Sequence, residues 1–309
     1  MTESARTQNR TENRTENRTE NRNRTRTRVP DQTQILPVPG AVGELYDRLT
    51  LSAMRDGTFN PNVHIGYWDS PDSEATIDEA MDRLTDVFID WLKADSSSHV
   101  LDLGCGVGGP GLRVVSHTGA RVTGISISEE QIKTANRLAA EAGLADRAVF
   151  RHGDAMGLPF SDGAFDAVMA LESVCHMPDR EQVFTEVARV LAPGGRLVLT
   201  DVFDRHPRKA VRHPGIDKFC RDLMSTTADI DDYVALLHRC GLRLRGILDI
   251  TEQTTLRLAE ELARAATAED RPAAMNEGNF DFTDEDAFRP SDLAGADDFG
   301  CLLVIAERP

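Results

Sequence analysis

Between residues 98 and 306 short β-rich apolar runs alternate with stretches of helical period. Val100–Leu103 is an apolar run broken only by Asp102, and it opens directly onto Gly104-Cys105-Gly106-Val107-Gly108-Gly109. Further strands are predicted over Arg121–Ser128, Ala148–His152, Phe165–Leu171, Arg196–Val202, Leu242–Ile250 and Gly300–Ala306. Helices are predicted over Glu129–Ala142, Ile230–Cys240 and Thr254–Ala268, and Leu191–Gly195 reads as a turn ahead of the fifth strand. Such alternation points to parallel βαβ units. Upstream, Val42–Met54 reads as an amphipathic helix carrying Leu45, Tyr46 and Leu49. Ile77–Leu92 places apolar residues at 77, 80, 81, 84, 87, 88 and 91, so one helix face packs under the sheet.

The pattern lapses in three places. Residues 1–36 hold almost no apolar side chains, and Thr11-Glu-Asn-Arg14 recurs at 15–18 and 19–22, so a disordered low-complexity tail is expected. The glutamates among its arginines argue against an organellar transit peptide. Residues 204–228, rich in His, Arg and Pro, interrupt the alternation after the fifth strand, as an inserted lid does. Residues 252–298 form a helical, then acidic, region before the last strand. Three parts follow: the tail, N-terminal helices and lid over 37–95, and a ligand-binding domain over 96–309.

Composition narrows the partners. A hydrophobic fraction of 40% is globular, and a net charge of −16 disfavours nucleic-acid phosphate as substrate. Without a long uncharged apolar run or a secretory leader, no membrane partner and a cytoplasmic protein are expected. Five cysteines without C-x-x-C spacing and eight histidines without an i,i+4 pair indicate neither a disulfide framework nor a metal. Oligomeric state is left open, a homo-oligomer among the options.

The glycine run carries the chemistry. Glycine at a strand-to-helix turn lets a ligand lie against backbone N–H groups at a helix N-terminus. Gly104, Gly106 and Gly109 also fit the dinucleotide pattern G-x-G-x-x-G, so the loop alone leaves a nicotinamide cofactor open. The ordered series resembles class I S-adenosylmethionine (SAM)-dependent methyltransferases over about residues 98–203. Asp102, Gly104, Gly106 and Gly108 match their D-x-G-x-G-x-G loop, Pro193-Gly194-Gly195 matches the turn before a strand, and Asp154 the acidic residue after the third strand. The resemblance implies an α/β, Rossmann-like seven-stranded sheet in the order 3-2-1-4-5-7-6, with an N-terminal helical lid and an insertion after strand 5. It also implies SAM as cofactor.

One departure is informative. Many members of the family hold the ribose with a carboxylate at the end of the second strand, where this chain has Ser126. A nicotinamide enzyme would want that carboxylate too. Ser126 with Gln131 is similar to the arrangement in small-molecule methyltransferases related to cyclopropane fatty acid synthases. The cofactor set implied is Asp102, Gly104, Gly106, Gly108, Ser126, Gln131, Asp154 (toward the adenine amino group), Ala155 and Glu172 (toward the amino-acid end, or ordering a loop). At Gly106 the close backbone approach is expected to leave no room for a Cβ.

Methyl transfer needs an in-line nucleophile and exclusion of water; a base is needed only where the nucleophile loses a proton. Ala170–Asp179 leaves the fourth strand at the carboxyl edge, where ligands bind in open α/β sheets. It resembles the segment in natural-product sugar O-methyltransferases where Glu-Ser precedes two histidines; here Cys175 replaces the first and His176 remains. His176 is therefore a candidate base with Asp201 assisting, a pocket residue that orients substrate, or a core histidine. Tyr46, His64, Tyr67 and Trp68, with Cys175, are candidates for the lid and substrate wall, though Tyr67 and Trp68 could instead cap the core. The resemblance implies methyl transfer to oxygen or carbon of a small, largely apolar natural product. A cyclase of the same fold that keeps SAM as a structural ligand, and a non-catalytic binding protein, are the alternatives.

Overall fold

The computed structural model describes residues 36–57, 59–206, 211–266 and 288–309; the expected low-complexity tail lies outside them, as does most of the acidic stretch before the last strand. Seven strands form one sheet: β1 (His99–Leu103), β2 (Arg121–Ser126), β3 (Ala148–His152), β4 (Phe165–Ala170), β5 (Leu191–Asp204), β6 (Arg243–Asp249) and β7 (Phe299–Glu307). Their order is β3-β2-β1-β4-β5-β7-β6. The first five pair in parallel, while β7 runs antiparallel between β5 and β6.

Apolar residues on successive positions of a strand feed opposite faces, as a sheet covered on both sides requires. Leu101 and Leu103 of β1 and Leu302, Val304 and Ala306 of β7 enter one core; Val100 and Cys301, Leu303 and Ile305 enter the other. The helices are α1 (Pro39–Asp56), α2 (Ile77–Leu92), α3 (Gly109–Thr118), α4 (Glu129–Glu141), α5 (Arg180–Val190), α6 (Pro214–Asp222), α7 (Ile230–Arg239) and α8 (Thr255–Ala266). A capping box starts α2: Thr76 accepts from the Glu79 amide while Glu79 accepts from the Thr76 amide. Its buried row is Ala80, Leu84, Phe88 and Leu92, and Trp91, expected on that face, is 39% exposed. A stripe advancing by four residues drifts around the helix and reaches 92 instead of 91.

Leu191–Gly195 is not a separate turn: β5 already starts at Leu191, which pairs with Phe165 across a register shift. Gly194, at φ 78°, donates its N–H to the Arg308 carbonyl, so the glycines bend the strand without ending it. The segment after β5 holds α6 and a turn, and Ala228 returns to bridge Phe203. Among the described residues no helix is long and apolar enough to cross a membrane.

Candidate active site

At the carboxyl edge of the parallel strands a cleft of about 730 Å³, counting the mouth open to solvent, lies between the β1–α3 turn, the ends of β2 to β4, and α1. Gly104, Gly106, Ser126, Gln131, Asp154, Ala155 and Glu172 line it from one side, and Tyr46 and His176 from the other.

The first side is mostly backbone. Gly104 and Gly106 sit at φ 78° and 53°, a region side chains rarely adopt. A Cβ on Gly104 would strike the Ser173 side chain, whereas one on Gly106 would meet nothing within 4 Å. The open space at Gly106 is the cleft itself, where a Cβ would meet a ligand and not the protein. Ser126 Oγ donates to Gln131 Oε1 at 2.7 Å and accepts from the Ser128 amide at 3.1 Å, so a neutral hydroxyl–amide pair is pre-set at the end of β2. The helix α4 begins here because Ser128 caps it, accepting from the Gln131 amide, which also ends β2 at Ser126. Glu172 has φ 50°, accepts from the Ile65 amide at 3.1 Å, and is pushed up to about 7 by desolvation. An adenosine ribose at Ser126 and Gln131 and a cationic amino group at Glu172 suit these donors and acceptors, so the residues fit SAM.

Two residues of the glycine motif stand behind this surface. Gly108 faces Phe150 and Ala135, where a Cβ would come within about 3 Å, and does not line the cleft. Asp102 is buried, its Oδ2 has no hydrogen-bond partner, and burial lifts its carboxyl to about 7. Neither is a direct wall of the cleft.

The second side is made of side chains from distant segments. His176 closes a single 3₁₀ turn, Val174–His176, after β4. Its Nδ1 lies 2.9 Å from the Leu223 carbonyl, which can only accept, so the ring proton sits on Nδ1. Nε2 is then the free acceptor, and the Tyr46 hydroxyl of α1 donates to it at 2.8 Å. Burial lowers the His176 pKa, with the Met224 and Leu223 carbonyls opposing that shift. Burial, with Cys175 and Glu172 nearby, holds the Tyr46 phenol well above its ordinary value. The result is a neutral, oriented imidazole at the cleft wall.

Asp201 does not touch His176. Its carboxylate is gripped by Arg180 at 2.7 and 2.9 Å and by the Tyr233 hydroxyl at 3.1 Å. The lid residues are corrected similarly. Trp68 is 1% exposed with its indole N–H on the Ala75 carbonyl, and buried His64 lies between the Ile65 carbonyl and Thr85, its pKa lowered to about 4 by burial. Tyr67, its amide on the Ala80 carbonyl, packs against the α2 core, and Cys175 is buried with its thiol turned to the Glu172 carbonyl. The aromatic segment therefore fixes α2 and contributes Val63 to the cleft in place of its aromatic rings. Val42, one turn before Tyr46 on α1, and Met177 and Pro178 also line the cleft and are not among the expected residues; the i,i+4 spacing of Val42 and Tyr46 is a signal that could have found the first. Among the described residues no group of three or more His, Cys, Asp or Glu is placed to hold a metal.

Sheet order and glycine turn together define a class I SAM-dependent methyltransferase. A family model for the methyltransferase domain matches residues 101–199. Methyltransferase GfsG of Streptomyces halstedii is 41% identical over 69% of this chain and 76% of its own length. The 27-O-demethylrifamycin SV methyltransferase of Amycolatopsis mediterranei is 40% identical over 71% of this chain and 79% of its own. The chain belongs to this methyltransferase family, and SAM is its cofactor. Among solved structures, the [4+2]-cyclase SpnF superposes with a TM-score of 0.70 at 29% identity, covering 89% of this chain and 97% of that one. Geranyl diphosphate C-methyltransferase from Streptomyces coelicolor, with a TM-score of 0.70 at 20% identity over 89% of this chain and 99% of its own, shares the fold.

Proposed function

We propose that this enzyme methylates a hydroxyl oxygen of a bulky, largely apolar natural product, with His176 as general base. The observation that carries the reading is the neutral His176 ring, locked with Nε2 toward the cleft by the Leu223 carbonyl. Bound SAM supplies an electrophilic methyl group. The chain's own task is to hold the acceptor, exclude water and take one proton. The acceptor hydroxyl takes the place of the Tyr46 hydroxyl at Nε2 and passes its proton there as its oxygen is methylated. Pro39, Val42, Val63 and Met177 give that side an apolar wall, which supports an acceptor of the kind named for the Amycolatopsis relative. The net charge of −16 supports a small molecule over a nucleic acid. Asp201 belongs to the support of this base and not to its contacts.

The likeness to the [4+2]-cyclase favours one second reading, in which substrate is shaped in the cleft and SAM is not consumed. Incubation with methyl-labelled SAM and apolar macrocyclic alcohols separates the two. Labelled ether with stoichiometric S-adenosylhomocysteine is expected; an isomerised product without S-adenosylhomocysteine overturns methyl transfer.

A further inference from the structure

Behind His176 lies a buried ion pair that makes no contact with the cleft. Asp201 has no exposed side chain and Arg180 is 14% exposed. Arg180 spends its fork on two targets: Nε and Nη2 on Asp201, and Nη1 and Nη2 on the Thr226 hydroxyl and carbonyl at 2.7 and 2.8 Å. Thr226 in turn donates its amide to the Cys175 carbonyl at 2.8 Å, next to His176. Three residues earlier in the same turn is Leu223, whose carbonyl fixes the His176 ring.

We propose that Arg180 is a positioning residue for His176: anchored by Asp201, it holds the Thr226 turn so that the Leu223 carbonyl keeps the ring proton on Nδ1. The proposal rests on the reading of His176 as base. Two observations argue for placement over plain stability. A buried ion pair is in itself a weak source of stability, and an apolar pair of like volume often serves as well. The planar fork, however, can reach a carboxylate and a turn at once, which no apolar pair and no lysine can do. Second, the turn holds a conformation that needs holding. Met224, between Leu223 and Thr226, sits at φ 48°, and Glu172, before the His176 turn, at φ 50°. Non-glycine residues stay in that region only where the surroundings over-determine it. Both flanks of His176 are thus in strained backbone; the Thr226 amide joins one to the other at the Cys175 carbonyl, and Arg180 holds Thr226. In this proposal an indirect link through Arg180 and Thr226 replaces the expected direct Asp201–His176 contact, which the structure lacks.

The test uses the full chain labelled with ¹⁵N-histidine, the His176 signals being assigned by their loss in His176→Asn. In the parent the ring shows a protonated Nδ1 and an unprotonated Nε2. Arg180→Lys keeps a charge beside Asp201 but cannot reach Thr226; Thr226→Val keeps the ion pair and loses one arm. Both are expected to show mixed tautomers. For Arg180→Lys kcat falls about 10–100-fold, as misplacing a reacting group by a fraction of an ångström does, while acceptor KM and SAM affinity hold. The loss in Thr226→Val is smaller. An unchanged Nδ1–H tautomer in folded Arg180→Lys or, if that variant does not fold, in Thr226→Val overturns the proposal. Full turnover in His176→Ala would instead overturn the base reading and leave the tautomer result standing.

Discussion

The two sides of the cleft are built from different materials. On the cofactor side the walls are turns that directly follow β1, β2 and β3, and the positive-φ positions are glycines, Gly104 and Gly106. On the acceptor side the positive-φ position is Met224, beside the Leu223 carbonyl that holds His176, and the wall is a side-chain network. Tyr46 meets His176 across 130 residues of sequence and Leu223 meets it across 47. A backbone cradle is damaged by adding atoms; a side-chain network is damaged by removing them.

The sharpest break in that contrast is His176→Ala. As the loss of a positioned base it should lower kcat by about 10²–10⁴-fold, with SAM affinity by calorimetry unchanged. A parallel fall in affinity would mean that the two sides are one. Next is Asp201→Ala, which leaves Arg180 without its carboxylate in the interior and should cost about 3–5 kcal/mol in urea unfolding.

Adding atoms probes the other side. Gly104→Ala drives a Cβ into Ser173 at a left-handed φ and should cost about 1–3 kcal/mol of stability. Gly106→Val points into open cleft, so its main effect should be lost SAM binding, read by calorimetry, with a smaller change in melting temperature.

Two smaller effects depend on pH. Glu172 is raised from an ordinary 4.5 to about 7, so in the ligand-free fold it stays protonated while the unfolded chain ionises. Its contribution is fully present below about pH 4.5 and is lost as pH rises through about 7. Glu172→Gln should therefore flatten the decline of ligand-free stability across that window, measured by urea midpoints; an unaltered slope excludes Glu172 as its source. Tyr46→Phe should have the least effect. The phenol donates to neutral Nε2 and so favours the neutral ring; without it the His176 pKa rises. The acid limb of kcat/KM, which reports the free enzyme, then moves up by up to about one pH unit, for a bond worth about 0.5–1.5 kcal/mol. A limb moving down would place Tyr46 in another role.

The same contrast explains what could be read from the chain. Glycines and strand ends lie close together in sequence, so the loop at 104–109 was legible from local pattern, while Ser126 with Gln131 and the order of the sheet followed from the family resemblance that the loop carries. Leu191–Gly195 was not, because Pro193, Gly194 and Gly195 carry turn chemistry inside a strand that pairs at Leu191 and again from Arg196, with the glycines bonded to Arg308 between. Trp68 was misread because an aromatic near a lid suits a pocket as well as a core, and only the Ala75 carbonyl and burial under α2 decide it. Arg180 sits in an ordinary first turn of a helix, and nothing local tells that its fork reaches Asp201 and Thr226. Tyr46 was a candidate as a wall residue, but its partner lies too far along the chain for spacing to reveal.

Helix α1 is the element common to both sides. Asp47 accepts from Ser128 Oγ at 2.5 Å and from the Glu130 amide at 3.0 Å beside the ribose pair, and Tyr46 reaches His176. Gly43 lies against the Ile127 carbonyl, where a Cβ would come to 2.7 Å. Apart from Val42 and Ala53 the helix buries few apolar side chains, and Leu51 and Met54 are exposed. Segments held by a few polar bonds open at a free energy well below that of the whole fold. The amides of α1 should accordingly exchange with solvent faster than those of β1, β4 and β5. A local opening of α1 would loosen its contacts at Ser128 and at His176 together.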